Sequence, residues 1–295
     1  MLFLILSILF SAYLGIIFTF FKRFGVDAFQ AIVFNYFTCV ITGSIYSGGF
    51  PLQPNTLQEP WMIWSFVMGS MFIATFNLIA RSSVQVGVTV TQTANKLSLV
   101  IPVIISFWAY GEAILPLKIV GIILALAAVI LMSYNPQNKS EAGNTTGIGL
   151  AAFLPVLLFL NSGFIDALTT YVQRRYIHTE AIANAYLIAG FSAAALWGSL
   201  VLGIQYARGT KTFAWKHLIG GIVLGVPNYF SIYFLIKALE HPSLNSSAII
   251  PINNIGILLV VSLCGIFMFK EKLRGLNYLG LALALGAILL IFMAK

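Results

Sequence analysis

The stretch Gly69-Ser70-Met71-Phe72-Ile73-Ala74-Thr75-Phe76-Asn77-Leu78-Ile79-Ala80-Arg81 returns 156 residues later as Gly225-Val226-Pro227-Asn228-Tyr229-Phe230-Ser231-Ile232-Tyr233-Phe234-Leu235-Ile236-Lys237. No gap is needed to set Gly on Gly, a polar-aromatic stretch on its like, and Arg81 on Lys237. Both copies lie in a chain made almost wholly of apolar runs of membrane length. A duplicated helical membrane unit is the usual build of a secondary transporter, whose substrate binds where the repeats meet.

Composition sets the frame. The 295 residues are 60% hydrophobic and 8% charged, with a mean hydropathy of +0.96. A soluble domain carries roughly a quarter charged residues, so that class is excluded. The net charge of +8 would suggest nucleic acid in a soluble protein. Here the basic residues flank the apolar runs, in Lys22-Arg23, Arg174-Arg175, Arg208-Lys211-Lys216 and Lys270-Lys272-Arg274. That is the placement of membrane-surface anchors, and no nucleic-acid partner is expected. Cys39 and Cys264 stand singly in apolar runs, with neither disulfide nor metal-ligand spacing. His178, His217 and His241 fall in predicted loops. No metal and no cofactor is expected. The N-terminal run reads as a retained first span, because it lacks a basic leader and is too long for a signal peptide.

Ten apolar runs cover 2–21, 28–47, 61–80, 87–108, 117–134, 147–170, 181–204, 216–237, 244–269 and 275–294. Helices are expected throughout, since open strands leave backbone groups unpaired in lipid. The predicted fold class is an all-α integral membrane protein of ten transmembrane helices. A polar linker at 135–146, rich in Asn, Ser, Thr and Gly, divides the spans into five-helix repeats at 1–134 and 147–295. An odd number of spans per repeat makes the repeats inverted, the condition for alternating access. Further parallels join the halves. Lys22-Arg23-Phe24 matches Arg174-Arg175-Tyr176. Glu112 with Gly121 nine residues on matches Glu271 with Gly280 nine residues on.

On these residues the chain resembles a ten-helix member of the drug/metabolite transporter superfamily, of the EamA type. The Gly111-Glu112 turn with Gly121, its second copy at Glu271 and Gly280, Pro102 in the fourth span, and the basic endings at Arg81 and Lys237 carry the likeness. It departs from the family in having no second-half proline aligned with Pro102 and no basic tails. The resemblance implies export of amino acids, other metabolites or amphiphiles, and places both termini in the cytoplasm. The charge pattern points the other way: ten Lys and Arg fall on the side of loops 1–2, 3–4, 5–6, 7–8 and 9–10, against five opposite. Counted inside, that majority puts both termini outside.

Lys96 is the sharpest single residue. It lies mid-span, too deep to snorkel, where a lysine costs about 2.5–3.5 kcal/mol. It must therefore face the bundle interior or a water-filled cavity. Thr89, Gln92 and Lys96, with Thr91, Asn95 and Ser98, form a polar face on the fourth span at helical spacing. The functional reading is an anion-attracting group in a substrate cavity; the structural one is a salt bridge to Asp166 or capping near Pro102. Asp166 in the sixth span is a proton-coupling candidate, or a partner of Arg174 or Lys96. In the ninth span Asn253 and Asn254 follow Pro251 and suggest a locally opened backbone. In the eighth, Pro227 suggests a hinge, beside Asn228, Tyr229 and Tyr233. Glu112 and Glu271 read as gate or turn carboxylates.

The expectation is a non-enzymatic transporter in the plasma membrane, with a second copy of the chain among its candidate partners, moving a small polar metabolite with a carboxylate or phosphate. Alternating access would be coupled to a proton or a counter-substrate. Expected substrate-binding residues are Lys96, Asn95, Gln92, Asn253, Asn254, Tyr233, Asn77 and Asn228. The alternative is a flippase of a lipid or lipid-linked sugar on the same fold.

Overall fold

The computed structural model describes residues 2–109, 115–133, 150–239, 246–271 and 273–294. The linker at 135–146, Glu112 and His241 lie outside these residues. Among the described residues every regular element is helical: α1 (Leu2–Arg23), α2 (Ala28–Tyr46), a short 3-10 turn (Pro54–Gln58), α3 (Met62–Gln85), α4 (Val88–Leu97), α5 (Val100–Ala109), α6 (Pro116–Ser133), α7 (Leu150–Tyr176), α8 (Glu180–Ala207), α9 (Trp215–Leu239), α10 (Ser246–Phe267) and α11 (Gly275–Met293). Among the described residues eight helical segments are long and apolar enough to cross a membrane, and two shorter apolar helices lie at Pro116–Leu131 and Ile252–Phe267. The chain is a multi-pass, all-α membrane protein.

Every predicted run is helical, and one is broken. The fourth, 87–108, is two ten-residue helices, α4 and α5, separated by a turn at Ser98-Leu99. Pro102 has no N–H to give the Ser98 carbonyl, the bond a continuous helix would need. That carbonyl instead accepts from Ile101 N at 2.9 Å, one residue early. Pro102 is then the third residue of a new helix, where its missing donor is one of the first-turn orphans. Two expectations are corrected here. The ninth run forms an unbroken helix through Asn253 and Asn254, and the departure from regular α-helix lies in the fourth run, as a tight 3-10 turn in which Ser98 keeps helical dihedrals. His217 lies in the first turn of α9, not in a loop, and is buried, with Nδ1 accepting from Asp27 N at 3.0 Å.

The chain forms two compact units. The first comprises 1–19, 78–163 and 231–295, the second 20–77 and 164–230. In the first unit α6 packs against α11, and α4 against α10 and α6. Its core joins Ala94, Leu97 and Val100 to Ala125, Ala128, Phe159, Leu258, Ala284 and Ile288. Gly121 permits the α6–α11 approach: a Cβ there would sit 2.6 Å from Ile291 Cγ1.

In the second unit α2 packs against α8, and Trp61, Met68, Val172, Tyr186 and Ala189 form a core. The glycines of the duplicated stretch are among its close approaches. A Cβ on Gly69 would lie 2.6 Å from Ala193 Cβ and 2.7 Å from Gly190 O, setting α3 on α8. One on Gly225 would lie 2.5 Å from Thr38 Cβ and 2.7 Å from Asn35 O, setting α9 on α2.

Candidate functional site at the broken fourth span

The first unit contains the break and most of the polar residues around it. Three hydroxyls of this segment are satisfied locally. Thr91 Oγ1 lies 2.7 Å from both Gly87 O and Ser82 Oγ, and Thr93 Oγ1 donates to Thr89 O at 2.8 Å. Ser98 Oγ donates to Asn95 O at 2.6 Å, closing the carbonyl end of α4. The longer side chains are spent differently. Asn95 Nδ2 reaches Gln92 Oε1 only at 3.4 Å, and Lys96 is half-buried beside it. Gln92 is buried against α1: a Cβ on Gly15 would come within 2.4 Å of Gln92 Nε2. That glycine is what leaves room for the amide.

The N-terminus of α4 is capped from the other half of the sequence. Gly87 supplies no capping side chain. Glu271, in the turn after α10, accepts from Val88 N at 2.5 Å and Thr89 N at 3.4 Å. A carboxylate there meets two orphan amides and the positive end of the helix dipole. Room for it is made by Gly87, at φ +100°, and by Gly265, whose Cβ would lie 2.5 Å from both Glu271 Oε2 and Thr89 Oγ1. Thus α4 is a short helix tied at its start by one carboxylate and interrupted at its end.

These contacts also fix a direction. The end of α10 meets the start of α4, so the two helices run antiparallel. Leu258 of α10 shares a core with Ala94, Leu97 and Val100, on both sides of the turn at Ser98-Leu99, and Asn253 lies earlier on the same helix. Asn253 and Asn254 are both buried, and Asn253 Oδ1 has no hydrogen-bond partner. An unsatisfied buried acceptor costs about 1–3 kcal/mol, a cost that a ligand donor or a water would relieve. Gly163 lets α7 lie against α5, since a Cβ there would be 2.6 Å from Ile101 Cβ. Tyr233 on α9 is half-buried, its ring tilted 58° to that of Phe234, with Lys237 Nζ 6.0 Å from its ring centroid.

The remaining sequence candidates fall in the second unit. Asn77 Nδ2 donates to Ile73 O at 2.7 Å within its own helix. Asn228 is buried and donates to Asn35 Oδ1 at 3.2 Å, next to the Cys39 thiol, which donates to Gly225 O at 3.4 Å. These bonds hold α9 to α2. Asp166 is exposed. The fold therefore gathers Gln92, Asn95, Lys96, Asn253, Asn254 and Tyr233 into the first unit and leaves Asn77, Asn228 and Asp166 in the second. Sequence reading missed Gly163 and took Ser98 only as part of the polar face, although a serine four residues before Pro102 carried a legible signal. No group of His, Cys, Asp and Glu suited to a metal ion occurs among the described residues.

Comparison with known proteins adds fold and little else. No family model matches the chain. A Haemophilus influenzae protein described as uncharacterized is 28% identical over 295 residues, spanning 98% of this chain and 97% of its own length. A solved crystal structure aligns with a TM-score of 0.61 at 15% identity, over 99% of this chain and 97% of that one. That likeness shows the fold alone.

Proposed function

We propose that the chain is a secondary transporter of the EamA type, in the drug/metabolite transporter superfamily. On this reading it lies in the plasma membrane and exports a small polar metabolite bearing a carboxylate or phosphate. The observation that carries the reading is the turn interrupting the fourth span, with Lys96 two residues before it and a buried Asn253, its Oδ1 unsatisfied, on the helix packed against α4. Interrupted helices at membrane depth are found where they line a cavity or are buried in protein, and transporters bind substrates and ions at such ends. Lys96 supplies the attraction for an anionic group, and Gln92, Asn95, Asn253 and Asn254 the hydrogen bonds that orient it.

The inverted-repeat reading draws support from how the helices pair. Exchanging the two halves maps the second span onto the seventh, the fourth onto the ninth and the fifth onto the tenth. These are the pairs that pack together, α2–α8 within the second unit and α4–α10 and α6–α11 within the first. The same exchange turns the Gly69 contact of α3 on α8 into the Gly225 contact of α9 on α2.

The test is thermal stabilisation in nanodiscs by a panel of amino acids, sugar phosphates, carboxylates and cationic compounds, on wild type and Lys96→Ala. A ligand raises stability only through binding the folded form. Stabilisation by anionic or zwitterionic metabolites, lost in Lys96→Ala, supports the reading. A variant that keeps the ligand effect but melts far lower alone makes Lys96 a structural residue.

A further inference from the structure

One end of the second unit is strongly basic, and its geometry is fixed by a buried network. Asp27 caps α2 by accepting from Gln30 N at 3.0 Å, and its other oxygen pairs with Lys211 Nζ. Its own N–H goes to His217 on α9. Gln30 continues the network, donating to Thr212 O at 3.2 Å and accepting from Tyr206 OH at 2.6 Å. The α1–α2 turn is thereby locked to the α8–α9 loop. Lys216 Nζ would lie 3.3 Å from a Cβ on Gly25, so its ammonium rests over the turn that follows Lys22-Arg23.

The locked end carries Lys22, Arg23, Arg208, Lys211 and Lys216 against the single acid Asp27, which Lys211 neutralises. Lys22, Arg23, Arg208 and Lys216 are exposed and have no carboxylate partner among the described residues. Around them stand three exposed aromatics, Phe24, Phe213 and Trp215, at 67%, 49% and 70% exposure. The acids Glu59 and Glu180 begin elements at the other end of the unit, where Trp61 meets Tyr186 and Trp64 meets Tyr171. Cations ringed by aromatics at the mouth of apolar helices match the headgroup region of a bilayer.

We propose that this end binds the headgroup of an anionic phospholipid, with Lys22, Arg23 and Lys216 holding the phosphate and Trp215 and Phe24 set among the acyl-chain ends. The proposal stands apart from the transport reading, since none of these residues belongs to the candidate site. The network around Asp27 makes the cations a preformed set.

The experiment measures lipid binding to purified protein, using short-chain phosphatidylglycerol, phosphatidylcholine with the same chains, and inorganic phosphate alone. Phosphatidylglycerol is expected to bind most tightly, with affinity falling about fivefold for each cation neutralised in Lys22→Gln, Arg23→Gln and Lys216→Gln. Arg175→Gln, at the other end, should keep the full preference. Equal binding of the two lipids overturns the proposal. So does inorganic phosphate binding as tightly as phosphatidylglycerol, which would mark a soluble-anion site, or a preference unchanged in the triple variant.

Discussion

Glu271 shows how much a single residue decides here. It lies far along the sequence from the helix it caps, and its carboxylate is the side-chain acceptor for the first amides of α4. Glu271→Gln keeps an acceptor oxygen but removes the charge that opposes the helix dipole. A loss of about 1 kcal/mol is expected, read as a lowered thermal midpoint. An unchanged midpoint would show that Gly87 alone suffices to start the helix. Asp27 makes a second residue-scale case, in solvent reach at a loop. Burial by itself would raise its pKa, but the Lys211 ammonium, the Gln30 amide and the charge near His217 together hold it below the ordinary carboxylate value of 3.8. A depressed folded value means the stabilisation is present above pH 4 and lost as the pH falls through it. The thermal midpoint should therefore drop on acidification below pH 4, and less steeply in Asp27→Asn. Identical acid profiles would contradict the assignment.

At the scale of the element, the fourth span carries the argument. Its interruption rests on Pro102 and on the local bonds of Ser98. Pro102→Ala returns an N–H in reach of the Ser98 carbonyl and removes the ring that displaces it. The variant is expected to fold at equal or higher stability while transport falls, because a mended helix re-aims Lys96. A more stable variant with undiminished transport would separate the break from function. The same element shows why sequence reading located the interruption wrongly. Pro251 with two asparagines looked like the stronger breaker, yet its helix continues through them. Four residues before Pro102 stands a serine whose hydroxyl closes the helix end, and that pairing, not the density of polar residues, marks the interruption. The buried polar bonds of Asn228 and Asn77 were equally unreadable, because an asparagine that binds substrate and one that ties helices together look alike in one dimension.

At the scale of the molecule, the ten apolar runs were legible because bilayer thickness imposes their length. The helix pairings were not, because apolar helices in lipid choose partners by small-residue fit. Gly69, Gly121 and Gly225 decide those pairings through contacts 190 or fewer residues apart in sequence, which no local pattern encodes. The likeness of the stretches at Gly69 and Gly225 could be read in the sequence, and each glycine proves to sit at a close approach of its helix to a neighbour. On the proposed function, the polar set around the interrupted fourth span binds what the protein carries. The most direct test is exchange of labelled metabolites by purified protein in proteoliposomes, comparing wild type with Lys96→Ala. The account predicts solute-specific exchange that falls at least tenfold, a change of about 1.4 kcal/mol, in a variant whose unliganded thermal midpoint stays near that of wild type. Equal exchange by both proteins, or none by wild type across amino acids, sugar phosphates and carboxylates, would contradict it.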